Sequence, residues 1–158
     1  MTDTNLPELL GTAIPFARHV GLVFTDTAPG RGVAHLDAHA EVANYLGTIH
    51  AGATFTLAEA ASGAAVAGLV EPILMDCAPV TREATISYRR PADGRLVASA
   101  TTVGDPGELY RQIVRDGRAD VTVAVEVHDA DHVLVAQAEI VWHVRYRPAT
   151  SNAVAKDA

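Results

Sequence analysis

The sequence predicts an α+β domain in which an antiparallel sheet wraps around one long central helix, and three observations carry that prediction. Between His50 and Glu71 the chain reads AGATFTLAEAASGAAVAGLV, with Glu59 as its single ionisable side chain. If helical, a segment that is apolar or small on every side has no solvent face and must be surrounded by protein. The runs that follow it alternate apolar and polar residues at period two, as half-buried antiparallel strands do. Turn and cap signals then divide these runs into separate elements. The 158 residues fit one compact domain, taken as 1–147, with 148–158 as a small, polar, disordered tail.

Taken in order, residues 5–19 place Leu6, Leu9, Leu10 and Ala13 at helical spacing until Pro15 breaks the pattern, giving a short helix on the domain edge. Residues 20–27 and 31–38 read as a first hairpin about Ala28-Pro29-Gly30-Arg31-Gly32. A loop from Glu41 to Thr48 follows, with Gly47 giving the backbone the freedom to enter the helix. Thr48 or His50 lies near the helix start, where main-chain NH groups lack internal partners. The central helix is expected from about Ala51 to Val70, ending before Pro72, and roughly 30 Å long at ~1.5 Å per residue. Residues 80–90 carry Ala84, Ile86 and Tyr88 on one face, with 95–103 as partner across the turn Pro91 to Gly94. Asp105, Pro106 and Glu108 form an N-cap, first-turn proline and capping acid for a further helix that Gly117 ends, docked by Leu109, Ile113 and Val114. Val121, Val123, Val125 and Val127 then alternate with polar or small residues. Beyond the turn Asp129 to Asp131, the series Leu134, Ala136, Ala138, Ile140, Trp142 and Val144 holds period two to the end of the last strand.

Composition removes several function classes. A formal charge of -7 and a pI near 5.4 argue against a nucleic-acid binder, which needs a basic face. One cysteine, Cys77, permits no intramolecular disulfide and no multi-cysteine metal site, and reads as a small apolar residue rather than a nucleophile. No basic, then apolar export signal opens the sequence, so a cytoplasmic location is expected. The central run is long enough for a membrane span, but its Ala and Gly content and its acid favour a core helix. His35, His39, His128, His132 and His143 invite a metal, yet no HExxH pattern or cysteine partner accompanies them, and no metal is assigned. Neither a phosphate-cradling glycine loop nor a GxSxG elbow is present.

Glu59 is the main functional clue. An ionised carboxylate in poor solvent costs several kcal/mol or more unless partners or a wet cleft compensate. Around it stand Asn44, then Gly47-Thr48-Ile49-His50-Ala51-Gly52, with Asn44 six residues before His50 and Glu59 nine after it. This pattern, with Val80-Thr81 and Ser87-Tyr88-Arg89-Arg90-Pro91-Ala92 downstream, resembles the paaI-type branch of the hotdog-fold acyl-CoA thioesterases over about residues 20–145. The resemblance implies that Glu59 activates water or attacks the thioester, and that the NH of Ala51 or Gly52, behind His50, polarises the carbonyl. It implies that Asn44 and Thr81 orient substrate or water, and that Arg89 and Arg90 meet the phosphates of coenzyme A. Three departures stand out: Ala51 replaces the usual glycine after His, the acid is Glu where much of the branch has Asp, and the helix between Gly104 and Gly117 is additional.

The chemistry needs an attacking oxygen and a stabilised carbonyl oxygen. Glu59 lies eight residues beyond Ala51, about 12 Å along a straight helix, too far for both to touch one carbonyl. The site is therefore expected to join the helix start of one chain to Glu59 of another across a two-fold axis, in a homodimer or a dimer of dimers. The expected function is hydrolysis of acyl-CoA or acyl-carrier thioesters without a cofactor, coenzyme A entering only as part of the substrate, and without nucleic-acid or membrane partners. Structural readings compete: a buried acid bonded to a backbone NH or to a serine such as Ser62, a capping His50, a loop-forming Asn44, a plain strand residue at Thr81, and a solvated strand end at Arg89 and Arg90. The alternative function is a non-catalytic acyl-ligand binding protein on the same fold. A hotdog dehydratase is disfavoured, because that relative spaces its catalytic His and acid more widely.

Overall fold

The computed structural model describes residues 5–148. Two short helices, α1 (Leu6–Ala13) and α2 (Pro15–Val20), precede the hairpin of β1 (Val23–Ala28) and β2 (Arg31–Asp37). The central helix α3 (Ala51–Leu69) runs into a turn of 3-10 helix at Glu71–Asp76 and then β3 (Cys77–Tyr88). Next come β4 (Arg95–Thr102), α4 (Pro106–Asp116), β5 (Arg118–His128) and β6 (Leu134–Tyr146). All six strands form one antiparallel sheet in the order β1-β2-β4-β5-β6-β3, and α3 packs against strands along its whole width.

The period-two rows meet the helix as their spacing requires. Ala34, Leu36, Leu96, Ala98, Ala100, Val121, Val123, Ile140 and Val144 are buried, and so are Leu57, Ala61, Ala65 and Val66 of the helix. Large side chains such as Leu57 each contribute ~1.5–3 kcal/mol on burial. Small residues set how near the layers come. A methyl group on Gly32 of β2 would stand 2.5 Å from the Ala61 carbonyl oxygen and from the Ala65 nitrogen of α3.

Four expectations need correction. Pro15 does not simply end a helix: it takes the first-turn position of α2, where its missing NH is harmless. The strand pair expected across Pro91 to Gly94 does not form, because β3 pairs with β6 at the sheet edge while β4 lies between β2 and β5. The connecting segment is drawn elsewhere, its Ala92 carbonyl accepting the Ile49 amide at 2.8 Å and its Gly94 carbonyl the Ala38 amide at 3.0 Å. On α4, Ile113 is fully buried and Leu109 and Tyr110 pack beside it, but Val114 faces out. Finally, α3 is not enclosed on every side. Gly52 is exposed and Phe55, Thr56 and Glu59 are half-buried, a stripe at helical spacing left open along one face.

The caps of α4 match the sequence reading: the Asp105 carboxylate accepts the Glu108 amide at 2.8 Å, and Gly117 closes the helix in the left-handed region at φ 70°. The expected tail lies outside the described residues apart from Pro148. Among the described residues no helix is long and apolar enough to cross a membrane.

Candidate active site

Glu59 sits on the open stripe of α3, with β3 beside it. The Thr81 hydroxyl donates to Glu59 Oε1 at 2.9 Å. Burial pushes the carboxyl above its ordinary range, and the Thr81 hydrogen bond pulls it partly back. Ser62, the partner in the competing structural reading, does not touch the carboxylate. Its hydroxyl donates to the Glu59 main-chain oxygen at 2.6 Å and accepts the Trp142 indole NH at 2.9 Å. The Glu59 side chain is thus held through one oxygen by Thr81, while its backbone is fastened through Ser62 to Trp142 of β6.

Thr81 reaches the helix side through an irregularity in β3. Opposite β6, Thr81 pairs with Trp142 and Glu83 with Val141, leaving Arg82 as an extra residue. Strict alternation would set Thr81 on the face opposite Ala84, Ile86 and Tyr88. The extra residue restores it to theirs.

At the start of α3, His50 is the N-cap, and its Nδ1 accepts the Gly52 amide at 2.9 Å. Of the two amides expected to serve a carbonyl oxygen, Gly52 is therefore occupied, whereas Ala51 at the first helical position has no acceptor among the described residues. The Ala51 carbonyl receives the Tyr88 hydroxyl at 3.0 Å, tying the helix start to the far end of β3. Asn44 organises the preceding loop: its side-chain oxygen accepts the amides of Leu46 at 2.9 Å and Thr48 at 3.2 Å, and its NH2 donates to the Thr48 hydroxyl at 2.9 Å. Asn44, Ile49, Ala51, Tyr88, Arg89 and Arg90 line one cleft of about 370 Å³, a size ordinary for small-molecule sites.

The expected residues therefore fall into two groups. Asn44, His50, Ala51, Gly52, Arg89 and Arg90 gather about the helix start, while Glu59 and Thr81 lie outside that cleft. Sequence reasoning did not single out Tyr88 or Trp142 for the site. No local signal links Tyr88 to Ala51 or Trp142 to Ser62, since each contact depends on the sheet register. Among the described residues no group of three or more His, Cys, Asp or Glu side chains is placed to hold a metal. His39 lies beyond the end of β2, facing the Val20 carbonyl at 3.0 Å and Glu41 at 2.9 Å.

Solved structures share this architecture. The chain is 26% identical to a Pseudomonas aeruginosa protein of unknown function described as a "Probable Thioesterase", with 90% of this chain and 94% of that one covered and a TM-score of 0.76. A mutant of the phenylacetic acid degradation protein PaaI from Thermus thermophilus is 25% identical over 82% of this chain and 98% of that one, TM-score 0.66. A mutant thioesterase enzyme from Staphylococcus aureus shares the fold at 16% identity, covering 84% of this chain and 99% of that one, TM-score 0.70. These likenesses establish the hotdog fold and the resemblance to PaaI-type proteins. No curated protein matches the sequence. One family model matches residues 4–144, and its description is "Domain of unknown function (DUF4442)".

Proposed function

The chain belongs to the DUF4442 family of domains of unknown function, and from that premise we propose that it hydrolyses acyl-CoA or acyl-carrier thioesters at a site shared by two copies. One observation carries the reading: a half-buried carboxylate on an open helix face, lying outside the cleft that holds the unpaired amide of Ala51. Eight residues of helix separate the two by about 12 Å, so a two-fold axis beside β3 is what would bring one copy's Glu59 to the other's helix start. Thr81 to Thr85 of that edge strand are exposed in the single chain, as a surface awaiting a second copy would be. The likeness to the Pseudomonas protein supports thioester chemistry as the reaction class.

In this reading Glu59 takes a proton from water as the oxygen attacks the thioester carbonyl carbon. Alternatively its own oxygen attacks, giving an acyl-carboxylate anhydride that water then opens. In either course the carbon–sulfur bond breaks and coenzyme A leaves as its thiolate, which takes up a proton. The Ala51 amide of the second copy, at the positive end of the α3 dipole, donates to the carbonyl oxygen as it gains charge. Thr81 orients the carboxylate, and Arg89 and Arg90 at the cleft mouth meet the phosphates of the substrate.

The test is complementation. Ala51→Pro removes the amide hydrogen at the first helical position, where the proline ring fits the helix, and His50 before it is already extended at φ -61°, ψ 139°. Either Ala51→Pro or Glu59→Ala alone is expected to lower thioester turnover ~10²-fold or more. Mixed after unfolding and refolding, the two should recover about a quarter of wild-type activity, from one intact site in each heterodimer. A fully active monomer, or no recovery in verified heterodimers, rejects the shared site. Glu59→Gln should bind acyl-CoA without turning it over, whereas wild-type protein that binds a panel of short, long and aromatic esters and hydrolyses none of them is a binding module.

A further inference from the structure

We propose that Arg82, held on the outer face of the sheet by Asp120, which His143 engages from its other side, is a positioning residue for the contact between Thr81 and Glu59 on the inner face. Arg82 is the extra residue between the pairs Thr81 with Trp142 and Glu83 with Val141. An extra residue has no rung in the strand ladder to fix it, so something else must. Here its guanidinium donates from Nη1 to Asp120 Oδ2 at 2.6 Å, and the other carboxylate oxygen of Asp120 lies 2.6 Å from His143 Nδ1. Asp120 and His143 are themselves opposed across β5 and β6. One carboxylate thereby ties three strands together at the level of the irregularity.

Thr81 is the immediate neighbour of that anchor and projects the other way, to Glu59. An exposed ion pair contributes little to stability as a rule. This one acts on the only residue of β3 that has lost its ladder place. His143 first, and the Arg82 charge with it, hold Asp120 below the ordinary carboxylate range, so it stays an anion wherever the enzyme would work. Releasing Arg82 lets the chain at Thr81 settle differently, and the hydroxyl no longer meets Oε1 squarely.

The inference rests on Glu59 as the working acid, but its test does not need turnover. In the full chain carrying ¹³C-carboxyl glutamate, the Glu59 titration midpoint is followed in wild type, Thr81→Val, Arg82→Ala, Arg82→Lys and the double variant Thr81→Val with Arg82→Ala. Thr81→Val should move the midpoint up, since it deletes a hydrogen bond to the ionised form. Arg82→Ala should move it the same way by less, Arg82→Lys should lie nearer wild type, and the double variant should go no further than Thr81→Val alone. Asp120→Asn reads the same anchor without altering β3 and should match Arg82→Ala, which keeps the test open if that variant misfolds. With an acyl-CoA substrate, Arg82→Ala should lower kcat about fivefold with KM within about twofold, the pattern of lost transition-state positioning. An unmoved midpoint in Arg82→Ala and Asp120→Asn, full additivity in the double variant, or an unmoved midpoint in Thr81→Val overturns the proposal. A wild type without turnover but with the expected titration pattern sinks the enzyme reading and leaves the positioning role standing.

Discussion

The Thr81 hydroxyl and the Glu59 carboxylate meet at 2.9 Å across 22 positions of sequence. The contact sets two opposed influences on one acid. Withdrawal from water favours the protonated form, while the hydroxyl favours the ionised one, and the first is the larger. A general base benefits from such a balance, because a carboxylate with a raised pKa holds a proton better at neutral pH and still ionises.

Glu59→Gln should therefore stabilise the fold at neutral pH while abolishing turnover. The folded pKa of Glu59 is raised above the ordinary 4.5. The native state binds its proton more tightly than the unfolded chain does, so this group's contribution is fully favourable below the unfolded pKa and is lost as pH climbs through the folded one. Glutamine is neutral throughout and can still accept from Thr81. A Tm above that of wild type at pH 7 is expected. The gain should close as the pH is taken below 4.5. Scanning calorimetry across that range checks it, and a Tm for Glu59→Gln below wild type at pH 7 contradicts the sign.

The acid could be found in the sequence because a lone carboxylate in twenty small and apolar positions is conspicuous without any knowledge of packing. The alternating rows of β5 and β6 were legible for the same local reason. Thr81 was not legible from periodicity, which sets it on the wrong face. Only the register against β6 shows the extra residue at Arg82 that turns it inward, and pairing between strands some sixty residues apart leaves no local trace. The misplaced partner of β3 has the same origin: a proline-and-glycine turn marks a change of direction, while the neighbour a strand chooses depends on which buried row it completes. The open stripe of α3 was hidden too, since which face of a helix small and apolar all round is left uncovered depends on where the sheet ends.

Ser62→Ala and Trp142→Phe should both cost stability, for different reasons, although the two changes break the same hydrogen bond. The Ser62 hydroxyl accepts the Trp142 indole NH and donates to the Glu59 main-chain oxygen. Removing the hydroxyl strands a buried indole donor, a loss of ~1–3 kcal/mol. Replacing the indole leaves the hydroxyl its other partner but shrinks a buried bicyclic ring to a single one, and the cost is then that of a cavity. Urea denaturation measures both losses, a Ser62→Ala protein as stable as wild type contradicting the first, and because the Ser62 link fastens the helix turn at Glu59, Ser62→Ala should also lower kcat.

Gly32→Ala tests how closely the sheet approaches the central helix. The added methyl would stand 2.5 Å from the Ala61 oxygen and the Ala65 nitrogen and 2.8 Å from the Ala64 methyl. Two of these are backbone atoms of a long helix, which cannot swing aside as a side chain would. Overpacking of this kind costs ~1–3 kcal/mol, toward the upper end where the backbone must move. Gly94→Ala serves as the control: nothing lies within 4 Å of its added methyl, but φ is +65°, a left-handed strain of ~1–2 kcal/mol for alanine. Both variants lose stability, and only Gly32→Ala should also depress turnover, because Ala61 lies two residues from Glu59 and any retreat of α3 from β2 carries the carboxylate with it. Paired measurements of urea midpoint and kcat separate the two effects: a Gly32→Ala protein that is as active as Gly94→Ala would mean that the helix yields elsewhere and that Glu59 keeps its place.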